Sequence, residues 1–194
     1  MPMRLLAAIL AVSILLMPFA AALEGELFSL QESRLFLDPG PGFELVSEGS
    51  NLSRGILSHE YALTAGENLT AGYAYLSVAD VADRNMRLID PGSLVRLISA
   101  GALESLQDEG VVVVGNWSAS GSMGQNVPVH ILGRKSSEAS GTWDEILAIY
   151  PTGHLAVWDL GNHQYAVLIS FFDQATTRRI VETLAIRPGP PSPF

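Results

Sequence analysis

The chain has 194 residues, is 48% hydrophobic, lacks cysteine, and sets 11 Lys+Arg against 20 Asp+Glu for a formal net charge of −9. That length and apolar content point to one domain with its own core, while the missing cysteines exclude disulfides, thiolate nucleophiles, iron–sulfur clusters, cysteine zinc sites and a lipidated cysteine anchor. Scattered basic residues on an acidic chain cannot neutralise a phosphate backbone, which argues against a nucleic-acid partner; the acidity suits solubility outside the cell.

The first stretch reads as a targeting segment. Arg4 is the only charge before Glu24, an apolar run covers residues 5–19, and Ala20-Ala21-Ala22 gives a small-residue exit. A positive start, an apolar centre and an A-x-A pattern make residues 1–22 a secretory signal peptide. The run is short for a membrane span and broken early by Pro18, with an uncleaved N-terminal anchor as the alternative. The chain is therefore expected to be extracytoplasmic, secreted or at the cell surface. Asn51, Asn68 and Asn116 each begin an Asn-x-Ser/Thr triplet and are candidate glycosylation acceptors if the host modifies exported proteins.

Residues 23–33 form a short leader, and a single domain is expected over 34–187. Residues 34–37 and 43–46 read as short strands around a Pro-Gly turn, and 47–54 as a polar surface loop. Residues 56–63 alternate, with Leu57, His59, Tyr61 and Leu63 on one side and Ser58 and Glu60 on the other. That period of two predicts a strand, and residues 71–78 make its hairpin partner. Residues 79–89 read as a loop with a turn of helix.

Asp90-Pro91 predicts a helix start, because Asp caps well and Pro fits the first helical position. Leu94, Val95, Ile98, Ala102 and Leu106 make its apolar stripe, and Gly110 its left-handed stop. Residues 111–114 are four valines and read as a central strand. After a Gly/Ser loop over 118–125, residues 127–133 form a strand whose Pro128 places it at, or starting from, an edge. Residues 143–150, 154–159 and 163–172 read as three successive strands joined by tight turns, hence antiparallel. Asp173 caps a last helix with the stripe Ile180, Val181 and Leu184, and residues 188–194 form a Pro-rich tail. The expected fold class is α+β: a mostly antiparallel sheet of about six or more strands flanked by helices.

This order is similar to that of the PsbP-like superfamily, which includes the extrinsic photosystem subunit PsbP, a Ran-binding import factor and LpqN-type lipoproteins. The resemblance rests on Leu35-Phe36-Leu37, the Asp38-Pro39-Gly40-Pro41-Gly42 turn and Phe43, then on the helix at 90–107, the hairpins through Ile146–Tyr150, Ala156–Trp158 and Tyr165–Phe171, and the closing helix at 176–184. It implies an α-β-α sandwich and a non-catalytic module that binds a protein or ligand. The chain departs from that group in lacking a lipidation cysteine and in offering no match for the import factor's acidic partner-binding residues. No functional residue is carried over.

Local motifs for catalysis are absent. Residues 115–121 fail the G-x-S-x-G elbow, and 121–124 lack the length and lysine of a phosphate loop. Asp144 and Glu145, adjacent on an expected strand, would face opposite ways. The four histidines, His59, His130, His154 and His163, have no helical metal spacing. Neighbouring strands would have to bring His130, His154 or His163 together with Asp144, Glu145 or Asp159 to hold a metal. Tyr73, Tyr75, Trp143, Trp158 and Tyr165 are candidates for an aromatic groove, set against the plainer reading of sheet core. The expectation is an exported, non-catalytic binding or accessory domain of the cell envelope or extracellular space, with no cofactor or metal. Its partner would be an envelope or extracellular protein or an apolar ligand. The alternatives are an extracytoplasmic hydrolase without a local motif and a carrier of an apolar ligand.

Overall fold

The computed structural model describes residues 28–30, 35–53, 56–65, 72–134 and 142–186. The expected signal segment, Asn68 and the Pro-rich tail lie outside these residues. Seven strands form one sheet in the order β3-β4-β5-β9-β8-β7-β6: β3 (Phe43–Ser53), β4 (Ile56–Ala65), β5 (Tyr73–Val81), β6 (Val111–Ser120), β7 (Asn126–Arg134), β8 (Gly153–Gly161) and β9 (Gln164–Ser170). Every pairing in it is antiparallel. A second sheet of three short strands, β1 (Phe28–Leu30), β2 (Leu35–Leu37) and β10 (Ala185–Ile186), has the order β1-β2-β10.

The chain first lays down β3, β4 and β5 as a meander. Helix α1 (Pro91–Asp108) then crosses to the far edge, where β6 starts. From there β7, helix α2 (Thr142–Ile149), β8 and β9 work back until β9 pairs with β5. Helix α3 (Gln174–Thr183) follows directly.

Strand residues that face each other across a pair share a side of the sheet. One side is Tyr61, Leu63, Leu76, Val129, Ala156, Trp158 and Leu168, covered by Ile180, Val181 and Leu184 of α3 and by Leu37 of β2. The other is Tyr73, Tyr75, Leu132, Leu155, Val157 and Ile169, covered by Val95, Ile98 and Leu106 of α1 and by Ile146 and Leu147 of α2. The domain is thus an α+β sandwich with a helical layer on each face. The central leucines Leu155 and Leu168 are 0% and 1% exposed, and full burial of such a side chain contributes about 1.5–3 kcal/mol.

The helix boundaries follow the local chemistry. The Asp90 carboxylate accepts from the Ser93 amide at 2.9 Å, Pro91 occupies the first turn, and Gly110 takes a φ of 86° just past the end. The Asp173 carboxylate accepts from the Thr176 amide at 2.8 Å. Arg179 of α3 holds Asp38 at 2.9 Å, and the Thr183 hydroxyl accepts from the Asp38 amide at 3.1 Å, tying the start of the domain to its last helix.

Three expectations are corrected. Residues 143–150 are not a strand: α2 spans Thr142–Ile149, and the Tyr150 amide closes its last turn on the Ile146 carbonyl at 2.8 Å. Ile146, Leu147 and Tyr150 all pack into the α1-side core, a spacing of one and four that suits a helix face. A short apolar run does not by itself separate helix from strand. The valine run is not central: β6 is an edge strand, with Val113 and Val114 36% and 60% exposed. β-Branched residues fit any strand, and the irregularity between Val113 and Gly115 leaves Val114 without a cross-strand partner, while Val113 stays opposite Leu132 at the open margin of the sheet. Residues 47–53 are not a loop but the second half of β3. Their backbone pairs with β4 whatever the polarity of their side chains.

Candidate functional site

The most concentrated set of buried polar groups lies where α3 meets β8 and β9. His154 is the second residue of β8, Ser170 ends β9 directly opposite it, and Thr177 is one turn into α3. The Ser170 and Thr177 hydroxyls are 2.8 Å apart, and both residues are 0% exposed. Thr177 Oγ1 also lies 3.4 Å from the Phe172 carbonyl, to which it donates, and 3.5 Å from His154 Nδ1. The Phe172 amide donates to Ser170 Oγ at 3.3 Å. Only the hydroxyl–hydroxyl bond has ideal length; the others are long and weak.

Burial pushes the His154 imidazole below its ordinary pKa, opposed in part by the Ser170 backbone, the Asp173 carboxylate and the Phe172 backbone. Trp117 of β6 meets the His154 ring edge-on at 5.9 Å, and the Arg178 guanidinium of α3 sits 4.8 Å above the Trp117 ring. This set contains serine, histidine and aspartate. The serine hydroxyl is nevertheless sealed under α3 and is engaged by a threonine, whereas nucleophilic catalysis needs a base within reach and a path for substrate. Chemically, it is a polar staple that fastens the first turn of α3 to the sheet.

The other histidines lie apart from it. His130 faces Leu155, a member of the α1-side core, whereas His154 faces Ile131 on the α3 side. The two rings are thus on opposite sides of adjacent strands. His130 Nδ1 is 2.7 Å from Asn116 Oδ1, and burial lowers its pKa. His59 Nδ1 is 2.8 Å from the Ser50 hydroxyl, across β3 and β4. His163 is in the β8–β9 turn with a φ of 62°. Asp144 falls on α2, not on a strand. Among the described residues no three His, Asp or Glu side chains converge as a metal site requires.

The candidate aromatic groove is divided. Tyr73 and Tyr75 share the α1 side, as alternation requires, and Tyr165 packs nearby with Val81 and Leu94. Trp158 is on the α3 side. All four are at most 7% exposed, so they are sheet core. Trp143 falls on α2, and its side chain lies outside the description. The Tyr165 hydroxyl and the Trp158 and Trp117 indole nitrogens are buried without a hydrogen-bond partner among the described residues. Burial, then Asp159 and Asp90, raise the Tyr165 pKa.

Exposed apolar side chains occur on both faces. Leu52, opposite Leu57 on the α3 side, is 69% exposed, and Val114 and Met123 are 60% and 55% exposed, while several others lie on or next to the α1–α2 layer. Leu97 of α1 and Ile149 of α2 are 61% and 64% exposed, and Leu88, just before α1, is 86% exposed. Val113 faces Leu132 on the same side of the sheet. On α3 the outward residues are polar: Gln174, Arg179 and Glu182 are exposed. No helix among the described residues is long and apolar enough to cross a membrane.

Sequence reasoning missed the Ser170–Thr177 staple. The available signal was Thr177 itself, a hydroxyl residue three and four positions before Ile180 and Val181 on the apolar stripe of α3. The chain matches no family model, no curated protein and no solved structure at a significant level.

Proposed function

We propose that this chain is an exported, non-catalytic binding or accessory domain of the cell envelope or extracellular space, related to the PsbP-like superfamily. The leading segment, with its lone Arg4, apolar run and Ala20-Ala21-Ala22, supports export. The observation that carries the binding role is the difference between the exposed side chains of the helices themselves, although Leu52, Val114 and Met123 are also exposed elsewhere. Leu88, Leu97 and Ile149 stand open on the α1–α2 side, while α3 presents polar side chains to water. Exposed large apolar side chains on a helical layer suit an interaction surface where they form a contiguous patch. The partner is an envelope or extracellular protein that docks on this layer. Kinship with the PsbP-like group is supported by the capped long helix, the returning antiparallel strands β8 and β9 and the capped closing helix, and not by residues 146–150, which are helical through Ile149.

The test is fractionation of the source cells, amino-terminal sequencing of the recovered chain, and cross-linked capture with mass spectrometry. The expected result is an extracytoplasmic chain beginning at Leu23. Its captured partner should be lost on Leu97→Asp/Ile149→Asp and retained on Gln174→Ala. A cytoplasmic chain with residues 1–22 intact would end the proposal, as would capture indifferent to both variants.

A further inference from the structure

Among the described residues, each outermost strand of the seven-stranded sheet carries a candidate acceptor asparagine. Asn51 lies on β3 and Asn116 on β6, the first and last strands in the sheet order. Both are exposed. Each sits just beyond a break in register, between Ser47 and Gly49 in β3 and between Val113 and Gly115 in β6. None of the five inner strands contains an Asn-x-Ser/Thr triplet.

An open edge is a row of unpaired amides and carbonyls that invites another strand. Charge, proline or a bulge usually blunts it. The sequence of β3 includes Glu44 and Glu48, and both edge strands have a register break, but β6 (VVVVGNWSAS) has neither charge nor proline. At Asn116 the carboxamide oxygen is the atom nearest His130 Nδ1, at 2.7 Å. With the imidazole neutral, Nδ1–H donates to that oxygen and the carboxamide nitrogen is turned away from the ring.

We propose that Asn51 and Asn116 carry asparagine-linked oligosaccharides that cover the two edges of the sheet and keep the domain from pairing strand to strand. The inference rests on the export reading, because the modification takes place on the far side of the exporting membrane. The donor class is a polyprenyl phosphate- or diphosphate-linked oligosaccharide. The asparagine Nδ2 forms a bond to C1 of the reducing-end sugar as the bond from C1 to the phosphate oxygen breaks. The lipid phosphate leaves with the electron pair, and Nδ2 gives up one proton. The glycosylated Asn116 keeps its carbonyl oxygen, so its bond with His130 survives.

The test is peptide mass spectrometry of the chain purified from its source cells, reading residues 51 and 116 and the amino terminus together. Sedimentation velocity then compares that chain with Asn51→Gln/Asn116→Gln and with Ser53→Ala/Ser118→Ala, which destroys both triplets but keeps both asparagines. The expected result is a glycan at both sites and self-association at least tenfold tighter in both variants. A chain that begins at Leu23 but is unmodified at both asparagines overturns the inference and leaves export standing. An unmodified cytoplasmic chain that retains residues 1–22 overturns both. Glycans whose loss leaves self-association unchanged overturn the covering role.

Discussion

The staple between Ser170 and Thr177 makes a quantitative demand. In Thr177→Val the hydroxyl is lost, and Ser170 Oγ retains only the Phe172 amide at 3.3 Å. In Ser170→Ala, Thr177 retains the Phe172 carbonyl at 3.4 Å and His154 at 3.5 Å. Each variant thus leaves a buried hydroxyl with long bonds only, at a cost of about 1–3 kcal/mol. The double variant leaves neither hydroxyl orphaned, so its cost should fall short of the sum of the singles by about 1 kcal/mol. Urea unfolding followed by fluorescence of the three tryptophans measures all four proteins. Thermal midpoints should move by about 2–4 °C for each kcal/mol in a domain of this size. Costs that add to within about 0.3 kcal/mol would refute the coupling, and a stabilised Thr177→Val would refute the staple altogether.

Three further outcomes are expected. His154 is held neutral by burial, so its folded pKa lies below the unfolded one. The unfolded chain then binds the extra proton, and the contribution is complete above about pH 6.5 and lost as pH falls through that value toward the folded pKa. Stability curves against pH should differ between wild type and His154→Gln across this window, by no more than about 1.4 kcal/mol per pH unit, and parallel curves would contradict the assignment. Gly72→Ala should cost about 2–4 kcal/mol in a denaturant titration, because Gly72 has a φ of 134° and an added Cβ would run into the buried Phe172 ring. A loss below about 1 kcal/mol would show that the ring gives way. His163→Gly should stabilise by about 0.5–1 kcal/mol, since Asn162 and His163 both have positive φ in the two-residue β8–β9 turn. Its hydrogen bond to the Val81 amide uses the residue 163 carbonyl and is untouched. A lowered midpoint would contradict the turn geometry.

What could be read from residues alone was whatever the backbone needs locally. Asp90 and Asp173 announced two helices because a capping carboxylate must precede its helix. The stripe residues Leu94, Val95, Ile98, Ala102 and Leu106 named the face that α1 buries. Alternation placed Tyr61 and Leu63 together on one face, which the structure turns to α3. What escaped was set by distant partners. Whether Val113 is central or at an edge depends on where α1 delivers the chain, and no valine encodes that. Residues 146–150 suit a helix as well as a strand, and the choice falls to the surface they land on. The polar half of β3 pairs through its backbone, to which its side chains give no clue. The staple needed both the pairing of His154 with Ser170 and the docking of α3, neither of which is local.

The architecture stands or falls on β9 closing the sheet between β5 and β8, since both helical layers rest on those strands. The absence of native cysteine makes engineered pairs unambiguous. Ser77 faces Val167 across β5 and β9, and Val157 faces Val167 across β8 and β9. Ser77→Cys/Val167→Cys should therefore form an intramolecular disulfide under mild oxidation, its Cα atoms about 4.5–5.5 Å apart. Ser77→Cys/Val157→Cys, two strands and about 9.5 Å apart, should stay reduced. Closure of the second pair and not the first would contradict the strand order.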